Sequence, residues 1–358
     1  MAVEGKIRVT VLTGFLGSGK TTVLNHLLKH PDLADTAVII NELGELGLDH
    51  LLVEQTSENL TLLNNGCLCC TVRGDLVETF QELEERRASG SIPAFRRAVI
   101  ETTGLADPAP ILHTLIADPA VTHGYALEGV ITTIDAVNGA ATLDAHDEAV
   151  KQAAVADRIL LTKGDLADRE GVARLRGRLQ TISGGTPVLD VVDGRVDPAE
   201  IFAVGLYDPT GKTADVRRWL HAEAHADTHA YAGGEDHHEH DHVHSSARHD
   251  DRVQTHCFAI EDPVHWDDLS RWLDLMAAMR GANMLRVKGI VSIAEDPDRP
   301  LVVHGVQHVF HPPVRLDAWP SPDRRSRFVF ITRDLPRDLI GRTLEKFGGI
   351  DRGRIADN

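Results

Sequence analysis

Gly14-Phe15-Leu16-Gly17-Ser18-Gly19-Lys20-Thr21 joins an apolar, β-branched run, Arg8–Thr13, to a helical pattern over Thr21–His30. Few short motifs constrain a fold as tightly as G-x-x-x-x-G-K-[ST] between a strand and a helix. Its glycines let the loop wrap an anion with backbone N–H groups and the helix N-terminus. In that frame Gly14 to Thr22 surround the phosphates of a nucleotide, Lys20 reaches the β- and γ-phosphates, and the Thr21 hydroxyl coordinates Mg²⁺.

The rest of the first half extends this unit. Arg8–Thr13, Ala37–Ile40, Leu60–Leu63, Arg97–Glu101, Gly129–Asp135, Arg158–Thr162 and Pro187–Val192 read as short strands. Helical segments such as Gly74–Ala88, Glu148–Ala156 and Arg169–Thr181 lie between them. Alternation of this kind predicts an α/β fold, a mainly parallel sheet with helices on both faces and ligands at the carboxyl ends of the strands.

Around Ala222–Asp251 the chain changes character, with His225, His229, His237, His238, His240, His242, His244 and His249 set among Asp, Glu, Gly and Ser. A stretch with so little to bury reads as a disordered linker. Beyond it come candidate strands Arg252–Glu261, Asn283–Ala294, Leu301–Phe310 and Ser326–Thr332. Trp266, Leu269, Leu273 and Met276 recur at helical spacing, a turn falls at Glu295–Asp298, and a last helix covers Asp338–Phe347. The expected organisation is a nucleotide domain over residues 1–218, a His-rich linker over 219–251 and a smaller α+β domain with an antiparallel sheet over 252–358. A length of 358 residues accommodates two or three domains at about 100–200 residues each.

Two further motifs bear on the nucleotide. Thr162-Lys163-Gly164-Asp165 ends an apolar strand, and a carboxylate there accepts two hydrogen bonds from the N1–H and amine of guanine, a donor pair adenine lacks. GTP is therefore the expected nucleotide, although Thr162 stands where guanine-binding loops usually carry Asn, and Lys-Gly-Asp is also a common strand-to-helix turn. Glu101-Thr102-Thr103-Gly104 follows the strand Arg97–Ile100, placing an acid where it can hold Mg²⁺ through water and a glycine where it can sense the γ-phosphate. Asp135, ending another strand, is the rival acid.

Gly66-Cys67-Leu68-Cys69-Cys70 gathers three of the four cysteines into one loop. Thiolates are soft ligands for Zn²⁺ or Cu(I), and three of them leave one tetrahedral position open to water, a carboxylate or a recipient protein, as a transfer site requires. The preceding segment Asn41-Glu42-Leu43-Gly44-Glu45 offers Glu42 and Glu45, either to complete the metal shell or to contact the nucleotide's Mg²⁺. Arg73 follows the cysteines and opens a helix, from where its cation can reach the nucleotide and couple the two sites, whose loops are expected on neighbouring strand ends. The imidazoles of the linker bind Zn²⁺, Ni²⁺ and Co²⁺ and read as an auxiliary metal-collecting arm rather than the delivery site.

Thirty-seven Lys and Arg against 54 Asp and Glu give a formal charge of −17, which repels nucleic acid and anionic membranes and suits cations. No apolar run approaches the ~18–20 residues of a bilayer span, and no signal-peptide core precedes the first strand, so a cytoplasmic protein is expected.

Taken together, GFLGSGKTT, NELGELGLD, GCLCC, ETTGLADP, TKGD, the His-rich linker and Leu285-Arg286-Val287-Lys288-Gly289 resemble the CobW-type family of metal-trafficking GTPases over nearly the whole chain. Ile40, before Asn41, stands where some relatives carry an additional carboxylate. The resemblance implies a GTPase of the SIMIBI class with slow hydrolysis. It implies phosphate contacts from Gly14–Thr22, guanine contacts from Thr162–Asp165, an acidic switch position at Glu101, and metal held by Cys67, Cys69 and Cys70. It further implies delivery of that metal, Zn²⁺ first with Co²⁺ or Ni²⁺ as alternatives, to a metal-requiring client protein. Two other readings stand beside it. A P-loop small-molecule kinase with structural thiols should carry a basic lid, but the segment after Glu101 is acidic and Pro-rich. A passive metal store or sensor would not need intact Lys20 and Thr21.

Overall fold

The computed structural model describes residues 5–42, 61–66, 72–202, 252–348, 350 and 355–356. The His-rich stretch and the proposed domain limits at 218 and 251 lie outside them.

All seven strands expected in the first half form one sheet. They are β1 (Ile7–Gly14), β2 (Thr36–Glu42), β3 (Thr61–Gly66), β4 (Arg97–Glu101), β5 (Tyr125–Asp135), β6 (Arg158–Thr162) and β7 (Val188–Val191). Their order is β3-β2-β4-β1-β5-β6-β7, and every pairing is parallel. β1, β4 and β6 are buried almost throughout, so both faces must be covered and the strands read as continuous apolar runs rather than alternating ones.

The covering helices are α1 (Lys20–Leu28), α2 (Val72–Ala88), α3 (Ala109–Ala117), α4 (Pro119–Thr122), α5 (Gly139–Ala145), α6 (Asp147–Ala154), α7 (Arg169–Ser183) and α8 (Pro198–Phe202). Leu76, Phe80 and Leu83 of α2 and Ile111, Leu112 and Leu115 of α3 fill one face of the sheet. Val23, Leu24, Leu27 and Leu28 of α1 fill the other. Local signals fix the ends of α7: the Asp168 carboxylate accepts the Gly171 N–H at 2.7 Å, and Gly184 stops the helix in the left-handed region.

The second sheet contains β8 (Val253–Ile260), β9 (Met284–Ile293), β10 (Asp296–Val306), β11 (Val309–Phe310), β12 (Val314–Arg315), β13 (Ser326–Arg333) and β14 (Ile355–Ala356). Its order is β11-β10-β9-β13-β8-β14, with β12 also on β10, and every pairing is antiparallel. Helices α9 (Trp266–Arg280) and α10 (Arg337–Phe347) cover one face, where Leu269, Trp272, Leu273 and Met276 meet Phe328 and Phe330. The turn expected over Glu295–Asp298 is shorter than that. Only Ala294 and Glu295 turn, and Asp296, Pro297 and Asp298 belong to β10, where the register slips between Asp296 and Leu301 and so accommodates a proline. The expected single strand Leu301–Phe310 is likewise two, broken at Gln307 (φ +51°).

The two sheets share an interface. Val253, Leu285 and Ile331 join the apolar cluster of α6 and α7, and Thr255 Oγ1 donates to Thr181 O at 2.9 Å. Arg286 of β9 is buried against the Val155 carbonyl and the Asp157 carboxylate, and Arg333 of β13 pairs with Asp147. No helix among the described residues is long and apolar enough to cross a membrane.

Candidate nucleotide site and the strand ends beside it

The loop between β1 and α1 is shaped by its glycines: Gly14, Gly17 and Gly19 have φ of +139°, +70° and +95°. A Cβ on Gly14 would lie 2.5 Å from the Thr133 carbonyl, so this position is closed to side chains as well as strained. Ser18 N–H donates back to Phe15 O at 3.1 Å, and Ser18 Oγ lies 2.6 Å from Thr133 Oγ1. The Lys20 ammonium folds over the loop, donating to the carbonyls of Gly14 (2.9 Å) and Phe15 (3.2 Å). A cation held there, above amides and a helix N-terminus, makes a cradle whose electrostatics suit a polyphosphate.

Glu101 closes β4 at 3% exposure and accepts a 2.8 Å hydrogen bond from Thr21 Oγ1. Asp135 is engaged elsewhere. Its Oδ1 accepts the N–H groups of Val137 (2.8 Å) and Asn138 (3.1 Å), and its Oδ2 accepts from Asn138 Nδ2 (3.1 Å) and Lys163 Nζ (2.7 Å). Burial alone would push this carboxyl up. The Lys163 ammonium and the Asn138 and Val137 donors outweigh burial and hold it below the ordinary aspartate value. Of the two rival acids, Glu101 is the one beside Thr21.

The guanine-loop candidates converge on the same cradle. Thr162 Oγ1 donates to Ser18 O at 2.7 Å, so the hydroxyl, though it lacks an amide, ties this loop to the phosphate loop. Lys163 adopts a left-handed backbone (φ +57°), and its Nζ also donates to Gly17 O at 2.8 Å. Asp165 sits exposed on the turn Gly164–Leu166. A cavity of about 270 Å³ separates Gly164, Ala167 and Arg169 from Val191 and Val192 at the end of β7. No motif marks this last strand end; its position after the strand that carries Thr162 is the one signal the sequence holds.

The structure describes the metal candidates less fully. Glu42 is the last residue of β2 and Arg73 the second of α2. Cys67, Cys69, Cys70 and Glu45 lie outside the described residues. What the sheet does fix is register: Ile40 pairs with Glu101 and Glu42 with Gly66. The cysteine and phosphate loops are expected on neighbouring strand ends, but β3, which ends at Gly66, is the edge strand, and β2 and β4 lie between it and β1. Strand spacing puts the carboxyl end of β3 about 10 Å across the sheet from that of β4.

Comparison with known proteins agrees with this arrangement. Residues 8–190 match the family described as CobW/HypB/UreG, nucleotide-binding domain, and residues 253–348 match the cobalamin synthesis protein cobW C-terminal domain. The chain is 31% identical to the zinc chaperone YjiA of Escherichia coli (strain K12) over 335 residues, 93% of this chain and 96% of that one. It is 29% identical to the zinc chaperone CobW of Sinorhizobium sp over 330 residues, 84% of this chain and 86% of its relative. Its fold is similar to the crystal structure of the Zn(II)-bound YjiA GTPase from E. coli, with a TM-score of 0.66 and 28% identity across 96% of this chain and 99% of that one. With a phosphate loop on a parallel sheet, an antiparallel domain docked behind it and both domain signatures in order, the chain belongs to the CobW family of P-loop nucleotide-binding proteins.

Proposed function

We propose that the chain is a GTP-hydrolysing metallochaperone that holds a transition metal, Zn²⁺ first, at Cys67, Cys69 and Cys70 and hands it to a metal-requiring client under nucleotide control. The observation that carries this reading is the register at the sheet's carboxyl edge. Glu101 of β4, hydrogen-bonded to Thr21, pairs with Ile40 of β2, and two residues further along β2 Glu42 pairs with Gly66, the residue before Cys67. A change at the γ-phosphate that moves the end of β4 therefore acts one strand away from the segment 41–45 and two from the thiols. The zinc chaperones among the relatives support the choice of metal.

The chain's own residues suit the chemistry. Lys20, already poised on loop carbonyls, exchanges them for β- and γ-phosphate oxygens. The Thr21 hydroxyl and the buried Glu101 carboxylate form an oxygen donor set that fits Mg²⁺ and would hold it. When bound, that ion neutralises charge developing on the phosphates. Asp165 selects guanine, and Lys163, pinned between Gly17 and Asp135, supports the loop that carries it.

Three thiolates take Zn²⁺, and a fourth position left to Glu42, Glu45 or the client gives the metal a way out. Substituting Cys69 and Cys70 together with Ser should abolish the tightest zinc site, measured by titration against a chromogenic chelator, while GTP affinity stays within about twofold. Tight zinc binding that survives the double substitution would contradict the assignment.

A further inference from the structure

Helix α6 touches three parts of the molecule at once. At its first residue, Asp147 pairs with Arg333 of the second sheet, and just past its last turn the Val155 carbonyl accepts from Arg286 of the same sheet. Both contacts obey the helix dipole, with an acid at the amino end and an arginine at the carboxyl end. Between these two clamps the helix grips the loop after β4. Lys151 Nζ pairs with Asp107 Oδ2 at 2.8 Å, and Gln152 Nε2 donates to Gly104 O (3.2 Å) and Ala106 O (2.9 Å). That loop is the one pressed on the phosphate loop, since a Cβ on Gly104 would lie 2.5 Å from the Leu16 amide nitrogen. One residue before the helix, His146 stacks on Phe15 of the phosphate loop, ring centroids 4.4 Å apart.

Gln152 is fully buried, and its two carbonyl acceptors fix which end of the amide faces the loop. Its Oε1 is buried with no hydrogen-bond partner among the described residues. An amide that donates to the loop through one end and has a spare acceptor at the other can hold the loop in two positions. Displacing Gly104 and Ala106 releases their carbonyls from Nε2.

We propose that α6 is a relay between the second sheet's domain and the loop after β4, with Gln152 as the positioning residue that holds that loop through its carbonyls. The consequence for catalysis rests on the GTPase reading above; the mechanical coupling does not. Movement of Gly104 on nucleotide binding or hydrolysis is passed along a short rigid helix to Arg333 and Arg286. Contact made by a client on the second sheet's domain is passed back to the nucleotide by the same route.

The test is hydrogen exchange on the full chain without nucleotide. Arg333→Ala removes a side chain in the other domain, and exchange over residues 102–108 should accelerate at least about fivefold; Asp147→Asn, from the helix side, should do the same. Arg324→Ala breaks an exposed ion pair with Asp298 elsewhere in that domain and is the control that should leave the loop unchanged. Loop exchange that is unaltered in both interface variants, or raised equally by the control, would overturn the relay.

A second readout is a double-mutant cycle on GTP turnover with Gln152→Leu and Arg333→Ala. Asp147 and Gln152 are five residues apart, about 7.5 Å along a helix, so independent effects should multiply. The relay predicts that the second substitution adds little to the first and that both act on kcat rather than KM; multiplicative losses would contradict it. A wild-type chain that turned over no GTP would count against the proposed function and leave the exchange test in force.

Discussion

Thr21 Oγ1 donates a 2.8 Å hydrogen bond to Glu101 Oε1, joining the first turn of α1 to the end of β4 across the floor of the phosphate cradle. Both groups offer oxygen ligands, one of them a carboxylate at 3% exposure, and they form the proposed Mg²⁺ site. Thr21→Val and Glu101→Gln should each lower GTP turnover on the order of 10²–10³-fold, because each removes a contact that acts in the transition state. GTP binding measured in EDTA should change by less than about threefold. Turnover within tenfold of wild type in either variant would place the acid elsewhere.

Lys163 carries a second prediction. Its ammonium bridges Gly17 O and Asp135 Oδ2, so it braces the turn after β6, the proposed guanine loop, against the phosphate loop. Lys163→Ala should weaken GTP and GDP alike, about 10–100-fold by calorimetry, and Asp135→Asn should act in the same direction. Asp165→Asn, by contrast, should erode the preference for guanine over adenine nucleotides and leave the phosphate contacts alone. Equal affinity of the wild type for GTP and ATP would remove the basis for that distinction.

The strands of the first sheet were readable because each is a short apolar run set between helical segments, and the phosphate loop because strand, glycines and helix coincide. Strand order was not readable. Nothing in Leu60–Leu63 says that it lies at the edge, beyond β2 and β4, since order is decided by which helices pack on which face. Helix α3 carries little sequence signal, because Ala109–Ala117 is apolar nearly all round and follows a Pro-containing turn, leaving only a weak amphipathic period. The choice between Glu101 and Asp135 likewise needed geometry. Both are strand-end carboxylates, and only their hydrogen-bond partners separate them.

Arg286 and Asp157 form an ion pair across the domain interface with both side chains about 95% buried. Asp157 also accepts the Val130 N–H at 2.9 Å, so the pair is built into β5 as well. Asp157→Ala leaves a guanidinium buried without its counter-charge and should cost about 3–5 kcal/mol in chemical denaturation. A loss below about 1 kcal/mol would show that water reaches Arg286.

His311 gives the molecule an acid limit. Burial pushes its imidazole down from 6.5 to about 4, the nearby Asp157 carboxylate opposing the shift. The folded state thus requires neutral imidazole while the unfolded chain takes up a proton near 6.5, so the stability this group supports is present above that value and lost as pH falls towards 4. The wild type should lose about 2 kcal/mol more than His311→Phe between pH 7.5 and 5. Parallel losses in the two proteins would mean that the imidazole is solvated in the fold.

On the proposed function, the nucleotide governs the metal. A competition titration of Zn²⁺ against a chromogenic chelator, first with a non-hydrolysable GTP analogue and then with GDP, measures that control. Coupling of ~1–3 kcal/mol between the end of β4 and the cysteine segment would appear as a ~5–150-fold difference in the zinc dissociation constant, with zinc shifting the ratio of GTP to GDP affinity by the same factor. Identical zinc affinities in the two states would contradict nucleotide control, leaving a GTPase whose metal site the nucleotide does not govern.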